Sequence, residues 1–81
     1  MKFRVHVSLK PTVLDPQGQT IRSALQGQGH PVVADVRQGK FFDITLAPDA
    51  DPRQAGAELD QIARDVLANP VIEEYRVELL E

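Results

Sequence analysis

Residues Lys2 to Leu9 alternate without interruption. Phe3, Val5, Val7 and Leu9 fall on one side, and Lys2, Arg4, His6 and Ser8 on the other. An extended chain reverses its side chains at every residue, so this segment reads as a strand with one dry face and one wet face. Such a strand cannot stand alone. The rest of the chain must supply pairing partners and a cover for the apolar side. It has 81 residues in which to do so, and a domain of that size buries only about 60% of its unfolded surface. One modest core is the limit, which excludes a self-contained doubly wound or barrel enzyme. A single domain over residues 1–81 is expected.

The remaining segments supply those partners in order. Lys10-Pro11 ends the first strand, because proline has no ladder donor. Asp15-Pro16 starts a helix, with Asp15 as N-cap and Pro16 in the first turn. Ile21, Ala24, Leu25 and Gln28 follow at helical spacing, although Gly18 and Gly27 weaken it. Gly29 and Pro31 stop it. Val32 to Arg37 is short and β-branched, with Ala34 and Val36 expected to face the core. Gln38-Gly39 then offers turn chemistry, and Phe42, Ile44 and Leu46 alternate with Phe41, Asp43 and Thr45, the pattern of a β-hairpin. Asp51-Pro52 opens a second helix with an apolar stripe of Ala55, Leu59, Ile62, Ala63, Val66 and Leu67. Asn69-Pro70 breaks it, and Glu73 to Leu80 is a last strand with Tyr75, Val77 and Leu79 on one face. The order is strand, helix, strand, strand, helix, strand. It predicts an α+β, ferredoxin-like βαββαβ sandwich: a four-stranded antiparallel sheet with two helices on one face and the other face open.

Charge and residue content exclude several functions. The formal charge is −3, which opposes binding to a nucleic-acid backbone. The chain has no cysteine, so disulfides, thiolate zinc sites and cysteine nucleophiles are out. The first residues contain no continuous apolar run and no stretch approaches ~20 apolar residues. A cytoplasmic protein with no membrane span is expected. His6 and His30 have no second ligand at metal-binding spacing. Ser8 and Ser23 lack a nucleophile-elbow pattern. Gly27-Gln28-Gly29 follows a helix, whereas a phosphate cradle precedes one. No catalytic, cofactor-binding or metal residue is expected. The open sheet face leaves Arg4, His6, Phe41, Asp43 and Thr45 as interface candidates. Arg37 and Lys40 flank the expected hairpin turn, where they could dock on an acidic surface or stay solvated.

Three segments carry a resemblance that composition does not. They are Leu9-Lys10-Pro11-Thr12-Val13-Leu14-Asp15-Pro16-Gln17-Gly18, Val36-Arg37-Gln38-Gly39-Lys40 and Leu67-Ala68-Asn69-Pro70-Val71-Ile72-Glu73. In this order and at these spacings they resemble the PurS family over essentially the whole chain. Thr12 stands where that family often has glycine, a change expected to alter the loop slightly. The family is the small subunit of multi-subunit phosphoribosylformylglycinamidine synthase, an ATP-dependent ligase complex that takes its amide nitrogen from glutamine in purine synthesis.

The resemblance implies a non-catalytic assembly subunit that bridges a glutaminase subunit and a large synthetase subunit and supports ammonia transfer. Any ATP and magnesium would sit in the synthetase partner. It also implies a homodimer or a dimer of dimers. Two other readings share the sandwich topology. An ACT-like regulatory module would bind a small molecule near Gly27 to Gly29. An RNA-binding sheet would need exposed aromatics and a basic face, for which Phe41 is the sole outward candidate.

Overall fold

The computed structural model describes residues Met1–Glu81. Three strands form one antiparallel sheet: β1 (Lys2–Leu9), β2 (Gly39–Thr45) and β3 (Glu73–Leu79), in the order β2-β1-β3. Between them lie α1 (Pro16–Gly27) and α2 (Pro52–Ile62), and α2 continues as a short π-helical turn over Ala63–Leu67. The alternation of β1 is realised fully. Val5 stands opposite Phe42 on one side and Val77 on the other, and Phe3 stands opposite Ile44 and Leu79. These side chains share the face that α2 covers, although Leu79 at its end is still 59% exposed.

Both helices begin where their aspartates predict. The Asp15 carboxylate accepts from the Gly18 N–H at 3.1 Å, and the Asp51 carboxylate from the Arg53 N–H at 2.9 Å. Each is followed by proline at the first helical position. Gly29 ends α1 with a positive φ of 96°. Its N–H donates to the Gln26 carbonyl and the next N–H, from His30, to the Leu25 carbonyl. That is the Schellman arrangement, and it gives Gly29 a structural reason unconnected with any ligand. Thr12 sits in a loop where no non-glycine residue needs a positive φ, so the backbone there does not demand glycine.

The core lies between the dry sheet face and α2. Phe3, Val5, Val7, Ala55, Leu59, Ala63 and Ala68 are buried, with Phe42, Ile44, Leu46, Leu67, Tyr75 and Val77 packed around them. The helical contribution steps by four residues from 55 to 59 to 63, then by five to 68. The reason is the π turn, in which the Ala68 N–H donates to the Ala63 carbonyl at 2.9 Å. The wider turn moves the inward direction one residue along. Val66, which an unbroken α-helix would have turned inward, is 76% exposed.

The expected fourth strand is absent. Val32–Arg37 has no strand pairing, and no hairpin turn forms at Gln38-Gly39. Gly39 is instead the first residue of β2, opposite Ser8. A Cβ at Gly39 would lie 2.9 Å from the Val7 carbonyl oxygen, so the glycine serves close strand approach rather than a turn. The second correction concerns α1, which does not lie on the sheet. It makes no substantial packing contact with β1, β2, β3 or α2. With residues 30–38 it forms an arm at one end of the molecule. Gly18 is the close point within the arm, where an added Cβ would lie 2.3 Å from the Val36 carbonyl oxygen. The molecule is accordingly 51 Å long and 14 Å thick, with a radius of gyration of 16.3 Å. A compact chain of this length would have a radius of roughly 12 Å.

The core step has a direct test. Leu59→Ala removes a fully buried side chain from a small core and should cost about 2–5 kcal/mol. Val66→Ala, on the same apolar stripe in sequence, should stay within about 0.5 kcal/mol. Urea unfolding followed by circular dichroism measures both. Equal losses would contradict the five-residue step.

Candidate functional site

The even-numbered residues of β1 point away from α2, and no element covers them. Parity brings Arg4, His6, Phe41, Asp43 and Thr45 onto this outer face, as expected. Arg4 stands opposite Asp43, His6 opposite Phe41, and Lys2 opposite Thr45. Arg4 makes a two-pronged contact with Asp43: Nε donates to Oδ1 at 2.8 Å and Nη2 to Oδ2 at 3.3 Å. Its guanidinium also lies 4.5 Å from the centre of the Phe41 ring, a cation–π distance. His6 Nε2 is 2.9 Å from Glu78 Oε1, and its ring centre is 6.5 Å from that of Phe41. Phe41 is 57% exposed. It is an apolar plate held in place by charged neighbours. Glu78 belongs to this site, although it is not among the sequence's interface candidates. Its parity on β3, opposite Arg4, is the signal that identifies it. Thr45 makes no side-chain hydrogen bond and closes the edge of the patch.

The two basic residues of the expected hairpin tip do different work. Arg37 Nη2 donates to the carbonyls of Lys10 and Val13, both at 3.0 Å. It ties the arm to the loop after β1. Lys40 lies on the dry-face parity at the end of β2, opposite Val7. Its Nζ is 5.6 Å from the Phe42 ring centre, so its stem follows the rim of the core while the charge remains at the surface.

Between the arm and the sheet is a cleft of about 280 Å³, lined among others by Ser8, Asp15, Gln38, Lys40 and Glu73. Its most buried polar group, Asp15, is 4% exposed and already occupied. Oδ2 accepts the Gln38 N–H at 2.7 Å and Oδ1 the Gly18 N–H. No three histidine, aspartate or glutamate side chains converge as a metal site, and no helix is long and apolar enough to cross a membrane.

Three of these carboxylates are held below their ordinary pKa. For Asp15 the cause is first the Gln38 N–H, then the Gly18 N–H. For Asp43 it is the Arg4 hydrogen bond, and for Glu78 the His6 hydrogen bond. The ordinary values are 3.8 for Asp and 4.5 for Glu. As pH falls through them, the unfolded chain takes up protons that the folded chain does not. The contribution of these groups is therefore complete above the ordinary values and lost as pH drops toward the folded ones. The melting temperature should fall between about pH 5 and about pH 2, and Asp15→Asn should both lower it at neutral pH and flatten its acid limb. Melting curves across that range check both outcomes. An Asp15→Asn protein with an unchanged acid limb would mean that this carboxylate is not linked to folding.

Comparison with known proteins bears on the whole chain. Residues 2–81 match the family model described as PurS, phosphoribosylformylglycinamidine (FGAM) synthase. The phosphoribosylformylglycinamidine synthase subunit PurS of Mycobacterium leprae is 45% identical over 73 residues, covering 90% of this chain and 87% of that protein. That of Bacillus subtilis is 40% identical over 80 residues, covering 99% and 93%. Among solved structures, the B. subtilis PurS C2 crystal form superposes with a TM-score of 0.82 at 41% identity, covering 99% of this chain and 98% of that one. A chain of the PurLQS structure from Thermotoga maritima gives a TM-score of 0.82 at 32% identity, covering 96% and 95%. A match spanning both the sheet and the arm, at this identity, places the chain in the PurS family.

Proposed function

We propose that this chain is the assembly subunit of a phosphoribosylformylglycinamidine synthase, the complex that converts formylglycinamide ribonucleotide, glutamine and ATP into formylglycinamidine ribonucleotide in purine synthesis. The observation that carries the reading is its end-to-end likeness to PurS subunits, one of them a chain of the PurLQS structure. Its partners are the glutaminase and the large synthetase subunits of that complex. ATP and magnesium belong to the synthetase. The chain itself supplies surfaces, and residues 1–81 act as one unit in the cytoplasm as a homodimer or a dimer of dimers.

The physical role follows from the reaction's intermediate. Ammonia released from glutamine at one site must reach a second site before water protonates it. Fixing two sites in one register turns a bimolecular encounter into an intramolecular one. A small domain with paired charges on an open face and a projecting arm suits that task. The outer face offers Phe41 as an apolar contact, with Arg4, His6, Asp43 and Glu78 around it. Arrangements of this kind anchor an interface at an aromatic and orient it by charge.

The purified chain should turn over neither glutamine nor ATP. Added to the glutaminase and synthetase subunits, it should restore glutamine-dependent synthesis. Phe41→Ala should weaken that restoration while leaving the melting curve close to the parent's. Turnover of either substrate by the chain alone, or full synthesis without it, would overturn the proposal.

A further inference from the structure

The sheet ends at β3, which pairs with β1 alone. Alternation decides which of its backbone groups that leaves open. In an antiparallel ladder the N–H and C=O of one residue point to one neighbour, and those of the next residue point the other way. At one end of the β1–β3 ladder the Leu80 N–H donates to the Lys2 carbonyl at 2.8 Å, and at the other the Lys10 N–H donates to the Ile72 carbonyl at 2.9 Å. The even-numbered residues of β3 therefore bond to β1. The N–H and C=O groups of Tyr75, Val77 and Leu79 face outward, and nothing in the chain bonds to them. No residue of β3 is fully buried. The result is an open strand edge.

The edge also has a strong sign. Residues 73–81 carry four carboxylates and one arginine, whereas the other 72 residues carry eight acids and eight bases. The whole formal charge of −3 therefore lies on β3 and the two residues after it. Glu74, Arg76 and Glu78 share the outer face, with Glu74 and Arg76 exposed and Glu78 bonded to His6. On the opposite face Leu79 is left largely uncovered.

We propose that the β3 edge receives an extended, basic segment of a partner subunit as an added antiparallel strand. The inference rests on the assembly reading above and adds where and how one partner attaches. Main-chain bonds to Tyr75, Val77 and Leu79 supply affinity, and the side chains select the segment. Opposed residues of paired strands share a face. The segment therefore carries bases opposite Glu74 and Glu78, and apolar residues opposite Val77 and Leu79. A second copy of β3 is the wrong occupant, because it would bring two concentrations of negative charge together.

Amide hydrogen exchange, resolved to single residues, tests the pairing on the unaltered protein. In the chain alone, the Arg76 and Glu78 amides are held by β1 and should exchange slowly, while those of Tyr75, Val77 and Leu79 exchange fast. In the complete complex with the glutaminase and synthetase subunits, the three fast amides should slow by about tenfold or more. Glu74→Lys places like charge opposite the segment. It should weaken binding to the partner subunits by about 2- to 30-fold, with an unchanged melting curve and a loss that shrinks as salt is raised. Outward amides that still exchange freely in a complex that makes product would overturn the strand pairing and leave the assembly reading standing. Outward amides already slow in the chain alone would give the edge to a second copy and overturn it too. Parent-like binding by Glu74→Lys would overturn the basic character of the segment. If the parent chain neither joins the two subunits nor restores glutamine-dependent synthesis, the assembly reading falls and the proposal with it.

Discussion

The structure depends on β1 being paired on both sides. A central strand fixes the side of every residue on its two neighbours, because register and parity are transmitted through the ladder. Once Phe3, Val5 and Val7 face α2, the places of Phe42, Ile44, Tyr75 and Val77 follow, and so do those of Arg4, Asp43, His6 and Glu78 on the other side. The core and the candidate interface are two faces of one pairing pattern. A one-residue slip of β1 would exchange them, placing Arg4 and His6 under Leu59.

The second organising element is the Asp15 carboxylate. One oxygen caps α1 and the other holds the backbone of Gln38 where the arm enters β2. A helix that finds no sheet to pack on would ordinarily be poorly fixed. Here its first turn is bound to the arm by a buried acceptor, and Gly18 allows the arm's backbone within a distance that no side chain would permit. The position of the arm is therefore set by polar contacts and close backbone approach rather than by apolar burial. Only nine of the 81 residues are buried, which leaves the chain more surface to present than core to protect.

Much of this was legible in the residues. Asp15-Pro16 and Asp51-Pro52 mark both helix starts because capping is local chemistry. Strict alternation in β1 and β3 marks both sheet faces because it needs no knowledge of the partner. Three loop segments, in order and at their spacings, carry the family resemblance. What failed was non-local. Gly39 has the residue type of a turn, but the same absence of a Cβ also admits a neighbouring carbonyl, and only the register tells the two apart. Val32–Arg37 has the composition of a strand, yet a strand requires a partner, and none exists within the chain. The step from Ala63 to Ala68 depends on how the end of α2 settles over the sheet, which no periodicity of 3.6 encodes. The two bonds of Arg37 are likewise hidden in the sequence, because its carbonyl partners lie 24 and 27 residues away.

One contact gives the molecule an optical signature. The chain has no tryptophan and a single tyrosine, and the Tyr75 hydroxyl donates to Asp60 Oδ1 at 2.8 Å. This bond joins β3 to α2 across the edge of the core, and it raises the pKa of the phenol. A phenol bonded to a carboxylate loses excited-state energy by proton transfer, so its emission is quenched while the helix is seated. Lifting α2 from the sheet breaks the bond and restores the emission. The only ultraviolet fluorophore of note thus reports on the docking of the one helix that closes the core, without any label being introduced.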